Sequence, residues 1–347
     1  MTYWKSWKRL AAALLLTLDT SWAGTAGTAQ TDSGATQEKH PGMTALIAEI
    51  SATDAAAGER AKALLEAAVY QPAIIEAISK PAEAKPWSAY RPIFMTEDRI
   101  AGGLKFWQDN QAALSEAEEH FGVPAAYIVA IIGVETLYGR ISGKWKVIDA
   151  LTTLGLYYPP REAFFRAQLK RYLTLDNAPG IQFDRLNALG SYAGAMGMGQ
   201  FMPTSYSDFA VDFNADGRID LWGQNEDVIG SVANYFRQHG WMPTQPVTSS
   251  VLPVPGAAPP QGLTLEPDRK LKDLLDWGFA PPGDLDPDQP STLLTLEGAN
   301  GTEYFAIFGN FRVITKYNRS PLYAMAVHQL AETLRERMAP ALAVNGD

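Results

Sequence analysis

The chain has 347 residues, 46% hydrophobic and 19% charged, a composition that suits a globular protein of two or three domains. A formal net charge of -9, a pI near 5.1 and the lack of any Lys/Arg stripe argue against nucleic acid as a partner. There is no cysteine, which excludes disulfides, thiolate metal sites, a cysteine nucleophile and a lipid-bearing cysteine.

In chain order, Lys5, Lys8 and Arg9 form a basic start, followed by LAAALLLTL over 10–18. That run is shorter than the ~20 residues needed to span a bilayer. The small residues of TSWAGTAGTA come next. This layout predicts a secretory signal peptide over 1–23, and an exported, soluble, periplasmic product. A buried amphipathic helix is the alternative. Residues 24–40 read as a flexible leader.

Residues 41–120 read as a helical domain. Leu46, Ile47 and Ile50 recur at helical spacing, as do Leu64, Ala67 and Ala68. PWSAYRPIF (86–94) reads as an ordered loop, and one helix is expected around 97–119. Pro124 suits the start of the next helix and Gly139 its end. Further helices are expected at 161–173, 182–190, 203–210 and 226–239. Residues 243–262 and 280–290 are rich in proline, and TLLTLEG (292–298) and EYFAIFG (303–309) look like strands. A linker and small β domain over 243–312 follow from this. SPLYAMAVHQLAETLRERM (320–338) is a final helix expected to pack back on the helical part. The fold class is mainly α, of the α+β kind.

In VPAAYIVAIIGVETLYGR (123–140) the first charged residue is Glu135, and Arg140 the next. A helix apolar on nearly every side is buried. An ionised carboxylate is costly there, and a raised pKa is the usual escape. A carboxyl neutral near pH 7 can act as a general acid on a poor leaving group such as a sugar oxygen. The alternative is a structural acid paired with an arginine or a helix N-terminus. Ordinary glycosidases use two carboxylates. No second one stands out, since Asp184, Asp208 and Glu162 look like surface positions. A lone Glu135 would need its nucleophile from elsewhere, including from the substrate.

GSYAGAMGMGQFMPTSY (190–206) combines four glycines and two alanines with methionines and a tyrosine. Small residues let the backbone approach a ligand or another helix. The segment fits neither a dinucleotide fingerprint nor a G-x-S-x-G elbow. Ser191 and Gln200 could offer hydroxyl and amide groups to a sugar. Tight packing of two helices and a turn explains the segment equally well.

YIVAIIGVETLYGR, GSYAGAMGMGQFMPTSY and IGSVANYFRQHGW (229–241), in this order, resemble the lytic murein transglycosylase B family. The resemblance runs from about residue 43 to the C-terminal helix. It implies a lysozyme-like core over 121–242, beside a helical domain and a small β domain. It also implies cleavage of the β-1,4 bond between N-acetylmuramic acid and N-acetylglucosamine in peptidoglycan glycan strands, leaving a 1,6-anhydromuramoyl end. Glu135 then matches the single acid and base. Ser191, Gln200 and Tyr235 match groove residues, as do Tyr317, Asn318 and Tyr323 in KYNRSPLY, within a 313–347 segment of active-site loop and C-terminal helix. Tyr90 is a further groove candidate. Met198 stands where some members carry an aromatic, and YPPRE (158–162) has Arg161 where a second basic residue might precede it. A hydrolytic muramidase and a non-catalytic wall-binding scaffold are the competing readings. No organic cofactor is implied. A monomer is expected, with cell-wall synthesis proteins as potential partners.

DFNADGRID (212–220) begins as an EF-hand loop does, with Asp212, Asn214 and Asp216 as oxygen donors, Gly217 at the turn and the Arg218 carbonyl next. Position 12 is Gly223, so closure would need a later acid, Glu226 or Asp227. The resemblance implies a longer variant loop closed by Asp227 and holding calcium or sodium structurally. A hydrated Asx turn before a helix is the alternative.

Overall fold

The computed structural model describes residues 40–80, 85–175 and 180–344, with side chains up to residue 339. The expected signal peptide, and the leader apart from His40, lie outside the described residues.

Six helices come first: α1 (Pro41–Ser51), α2 (Ala55–Ala67), α3 (Pro72–Ser79), α4 (Trp87–Phe94), α5 (Glu97–Asp109) and α6 (Gln111–Phe121). The central helix α7 (Ala125–Thr136) follows, and every one of its residues is buried. It packs against α5, α6 and two helices from late in the chain, α11 (Asn225–Gln238) and α14 (Pro321–Val344). Its side chains are apolar all round because it has no solvent face. Ile128, Val129, Ile131 and Ile132 are fully enclosed, and each such burial contributes about 2 kcal/mol.

Between α7 and α11 run β1 (Trp145–Lys146), α8 (Val147–Tyr157), α9 (Glu162–Leu173), β2 (Leu189–Gly190) and α10 (Pro203–Phe209). The late region holds β3 (Thr248–Ser250), β4 (Leu252–Pro253), β5 (Arg269–Lys270), α12 (Leu271–Asp276), β6 (Phe279–Ala280), β7 (Pro290–Gly298), β8 (Gly301–Ile307) and α13 (Gly309–Tyr317). Its main sheet is antiparallel in the order β3-β8-β7-β5. β7 and β8 form a tight hairpin that closes at Gly298 and Gly301. Val251, Leu271, Leu274, Phe279, Leu293, Ala306 and Phe308 give this region its own apolar cluster. Among the described residues no single helix is long and apolar enough to cross a membrane.

Mainly helical architecture with a small late β element agrees with the sequence reading, but several local expectations do not hold. Residues 87–94 are helical despite Pro92, because Trp87, Tyr90 and Phe94 bury one common face. A proline in an eight-residue helix removes one internal hydrogen bond, and the burial of three aromatic rings outweighs that. The expected helix 97–119 is two helices broken at Asn110, whose amide side chain donates to the Phe106 carbonyl. Residues 182–190 are not a helix. Asp184 Oδ1 accepts from the amides of Leu186 and Asn187, a local bond that competes with helix formation. α8 shows no helical period because it is buried almost all round. α7 stops at Thr136, before Gly139.

Candidate active site

Glu135 sits one residue from the end of α7, and only 7% of it is exposed. Its Oε1 accepts a 2.5 Å hydrogen bond from the hydroxyl of Tyr323, in the first turn of α14. Ser320 caps that turn, its Oγ accepting from the Tyr323 amide at 3.3 Å. Burial pushes the Glu135 carboxyl up to about 7, and the Tyr323 hydrogen bond offsets part of the rise. The last-turn position acts with burial, because the free carbonyls at a helix C-terminus disfavour negative charge.

Two other acids are buried among the described residues, and both brace backbone. Asp149 accepts from the Val69 amide and from Gln71 Nε2. Asp227 accepts from the amides of Phe213 and Asp220 at 2.8 Å each. Glu135 alone of the three has a tyrosine hydroxyl as its partner and no backbone amide. Glu162, Asp184 and Asp208 are exposed, as expected.

A shell of tyrosines surrounds the carboxyl. Tyr90 on α4, Tyr317 at the end of α13 and Tyr323 on α14 are buried or half-buried, and each has its phenol pushed up by burial first and then by the Glu135 charge. For Tyr90 the result is about 12. Tyr317 donates to the Gly199 carbonyl at 2.5 Å, and its ring lies 4.7 Å from that of Tyr235. Tyr235 in turn donates to the Lys316 carbonyl at 2.8 Å. Asn318 Oδ1 accepts from the Ser320 amide, joining α13 to α14 at this point.

The glycine-rich segment forms the other wall. Ser191 Oγ accepts from the amides of Ala193 and Ala195, and Gln200 Nε2 donates to the carbonyls of Ser142 and Gly197. Gln200 has φ +51°, between Gly197 at +68° and an ordinary backbone at Phe201. A Cβ on Gly197 would lie 2.4 Å from the Leu221 carbonyl oxygen, so the turn needs a glycine there. Of the expected groove residues, Tyr90, Tyr317 and Tyr323 face Glu135 and Tyr235 joins them through the Tyr317 ring, while Ser191 and Gln200 hold the adjoining loop.

Sequence reasoning missed Thr136. Its hydroxyl lies 2.9 Å from the Met198 carbonyl and accepts from the Gly139 amide, tying the end of α7 to the glycine-rich wall. Nothing in the sequence marks it, because a threonine next to a glutamate does not reveal its partners. Met198 packs its side chain against Gly139, where φ is +84° and an added Cβ would lie 3.0 Å from the Met198 sulfur.

At the 212–227 loop, Asp212 accepts from the Asp216 and Gly217 amides, Asn214 Oδ1 from the Asp216 amide, and Asp216 from the Arg218 amide. The Asp212 and Asn214 oxygens thus meet at one amide, and all the side-chain donors are oxygens, the type that suits a hard cation. Burial and the neighbouring Asp212 charge push the Asp227 carboxyl up. Both Asp227 oxygens face backbone amides, so it braces the loop from behind. No group of three His, Cys, Asp or Glu is gathered for a metal among the described residues.

A mainly helical, lysozyme-like body that buries one carboxylic acid under tyrosines defines a class of wall-cleaving enzyme. A family profile described as a transglycosylase SLT domain matches residues 39–332, and the chain belongs to that family, the peptidoglycan lytic transglycosylases. It is 43% identical over 248 residues to membrane-bound lytic murein transglycosylase B of Escherichia coli strain K12, covering 72% of this chain and 67% of that one. Its fold is similar to soluble lytic transglycosylase SltB1 of Pseudomonas aeruginosa, at 44% identity and TM-score 0.80 over 86% of this chain and 100% of the other. The Escherichia coli lytic transglycosylase Slt35 in complex with calcium matches at 36% identity and TM-score 0.77, over 86% and 94% of the two chains. Pseudomonas aeruginosa SltB3 in complex with NAG-anhNAM-pentapeptide matches at 31% identity and TM-score 0.73, over 84% and 78%.

Proposed function

We propose that this chain cleaves the β-1,4 bond between N-acetylmuramic acid and N-acetylglucosamine in peptidoglycan, with Glu135 as acid and then base. The neutral carboxyl gives its proton to the glycosidic oxygen, and the bond from that oxygen to muramoyl C1 breaks. Positive charge develops at C1, where the substrate N-acetyl group can share it. The Glu135 carboxylate then takes the proton of the C6 hydroxyl, and the C6 oxygen bonds to C1. The 1,6-anhydro end forms, and Glu135 is neutral again, so no water is consumed.

The observation that carries this reading is a buried carboxyl near pKa 7, held by one tyrosine hydroxyl, with no second carboxylate beside it among the described residues. An acid poised near neutrality is competent in both directions of proton transfer. Tyr90, Tyr235, Tyr317 and Tyr323 stand on helices beside the carboxyl and offer ring edges to a sugar, while Ser191 and Gln200 fix the glycine-rich wall and Asn318 joins α13 to α14. Digestion of purified sacculi followed by mass spectrometry tests the proposal. Anhydro ends, lighter than hydrolysed ends by one water, are expected from the wild type and none from Glu135→Gln. Hydrolysed ends alone would instead indicate a muramidase.

The family places the enzyme's substrate in the cell envelope. An exported, periplasmic product is the finer reading that the basic and apolar N-terminal sequence supports. The division into a helical part, a lysozyme-like core over 121–242 and a small β domain is proposed on the family resemblance and on the change from helical to proline-rich and strand-like sequence after residue 242. For the 212–227 loop, calcium would be held by Asp212, Asn214, Asp216 and the Arg218 carbonyl, with Asp227 bracing. Calcium would supply structural cross-linking there and take no part in proton transfer.

A further inference from the structure

The three residues after Thr136 have an unusual backbone. Leu137, Tyr138 and Gly139 have φ of +52°, +61° and +84°. Left-handed conformation is unfavourable for residues with a Cβ, so Leu137 and Tyr138 must be held there by their surroundings. Three glycines show how. An added Cβ would lie 2.4 Å from the Tyr138 hydroxyl at both Gly103 and Gly133, and 3.1 Å from its ring at Gly102. The Tyr138 ring therefore fills a slot cut by missing side chains on α5 and α7.

At the end of the slot, the Tyr138 hydroxyl donates to the Arg99 carbonyl at 2.9 Å. The Arg99 side chain returns the contact: Nε donates to the Gly133 carbonyl at 3.0 Å and Nη1 to the Ile93 carbonyl at 2.6 Å. Its guanidinium lies 5.2 Å from the centre of the Phe94 ring. Gly133 is the residue whose carbonyl also takes the Leu137 amide, the last regular bond of α7. Arg99 is 6% exposed, and both of these side-chain hydrogen bonds go to carbonyls and not to a carboxylate. Burying a cation this way is costly for stability alone, but a positive charge at a helix C-terminus complements the partial charges there. Glu135 lies between the two ends of this loop of contacts.

We infer that Arg99 and Tyr138 form a clamp on the last turn of α7 and are positioning residues for the Glu135 carboxyl. The inference rests on the reading of Glu135 as the proton donor. Neither clamp residue hydrogen-bonds to Glu135. The titratable groups that do face it are Tyr90, Tyr317 and Tyr323. Other charged groups near α7 sit away from it: Glu118 at the first turn, His328 and Glu332 by Tyr127, and the exposed Asp98–Arg140 pair. The clamp thus acts through backbone placement. Loosening it lets water reach the carboxyl and lowers its pKa.

The test compares Tyr138→Phe, Arg99→Lys and Glu135→Gln with wild type in pH-rate profiles on purified sacculi, with thermal melting alongside. Tyr138→Phe keeps the ring in its slot and loses only the hydroxyl bond. Arg99→Lys keeps a cation but cannot reach both carbonyls as a planar fork does. Both are expected to lower kcat roughly tenfold with KM little changed, and to move the alkaline limb of the profile to lower pH. Wild-type kcat and alkaline limb per folded molecule in both variants, whatever their melting temperatures, overturns the clamp. An active Glu135→Gln would instead overturn the reading of Glu135 on which it rests.

Discussion

At the scale of single residues, the same burial that suits Glu135 to proton transfer has a cost for stability. Its folded pKa of about 7 lies above the ordinary 4.5. Between those values the unfolded chain has released the proton and the folded one retains it. Stability from this group is full below pH 4.5 and falls as pH rises through about 7. The total loss is on the order of 3 kcal/mol. Glu135→Gln cannot ionise, and its amide oxygen can still accept from Tyr323. It is expected to melt several degrees above wild type at pH 8 and within a degree or two of it at pH 4, in paired calorimetric scans. Equal melting at pH 8 would mean that the carboxyl is solvated in the folded state. Glu135 was legible in the sequence because one charge interrupted a long apolar run. Arg99 and Thr136 were not, since an arginine next to Asp98 looks like a surface ion pair and a threonine beside a glutamate carries no mark of its partners.

At the scale of elements, period and punctuation carried most of the reading. α11 shows a one-sided apolar pattern and was expected within one residue of its observed range, and α14 was expected to start where it does but runs six residues beyond the expected end. α8 escaped because enclosure removes the polar face that makes a period visible, whereas α13 keeps Arg312 and Lys316 on a polar side and escaped because its β-branched run Val313, Ile314 and Thr315 resembles a strand. α4 escaped because its prolines look like breaks until three aromatic rings are seen on one face. The 212–227 loop belongs to this scale as well. Its oxygens lie before α11, and the buried Asp227 stands in the first turn of that helix, which carries Tyr235. If calcium binds there, free calcium at about 100 times Kd should stabilise the fold by about 2.7 kcal/mol, read as a higher Tm than in EDTA. Asp212→Asn should shrink that difference. A Tm indifferent to calcium would favour the Asx turn.

At the scale of the whole molecule, His328 joins distant parts of the chain. On α14, its Nδ1 lies 2.8 Å from the Tyr127 hydroxyl of α7, and its Nε2 lies 2.9 Å from the Thr248 hydroxyl of β3. Burial, opposed by Glu332, pushes its pKa from 6.5 down to about 4. The unfolded chain therefore takes up a proton near pH 6.5 that the folded one refuses until about pH 4. Stability should fall by roughly 3 kcal/mol as pH drops across that window. His328→Gln is expected to flatten this part of a denaturation-versus-pH curve, and an unchanged slope would place the acid sensitivity elsewhere. Tyr323 lies five residues before His328, and its partner Glu135 is 188 positions earlier in the chain. A ribosome releases the glutamate long before the tyrosine that secures it. The carboxyl therefore gains its tyrosine partner only when α14 packs onto α7: an acid made early waits for a segment made much later.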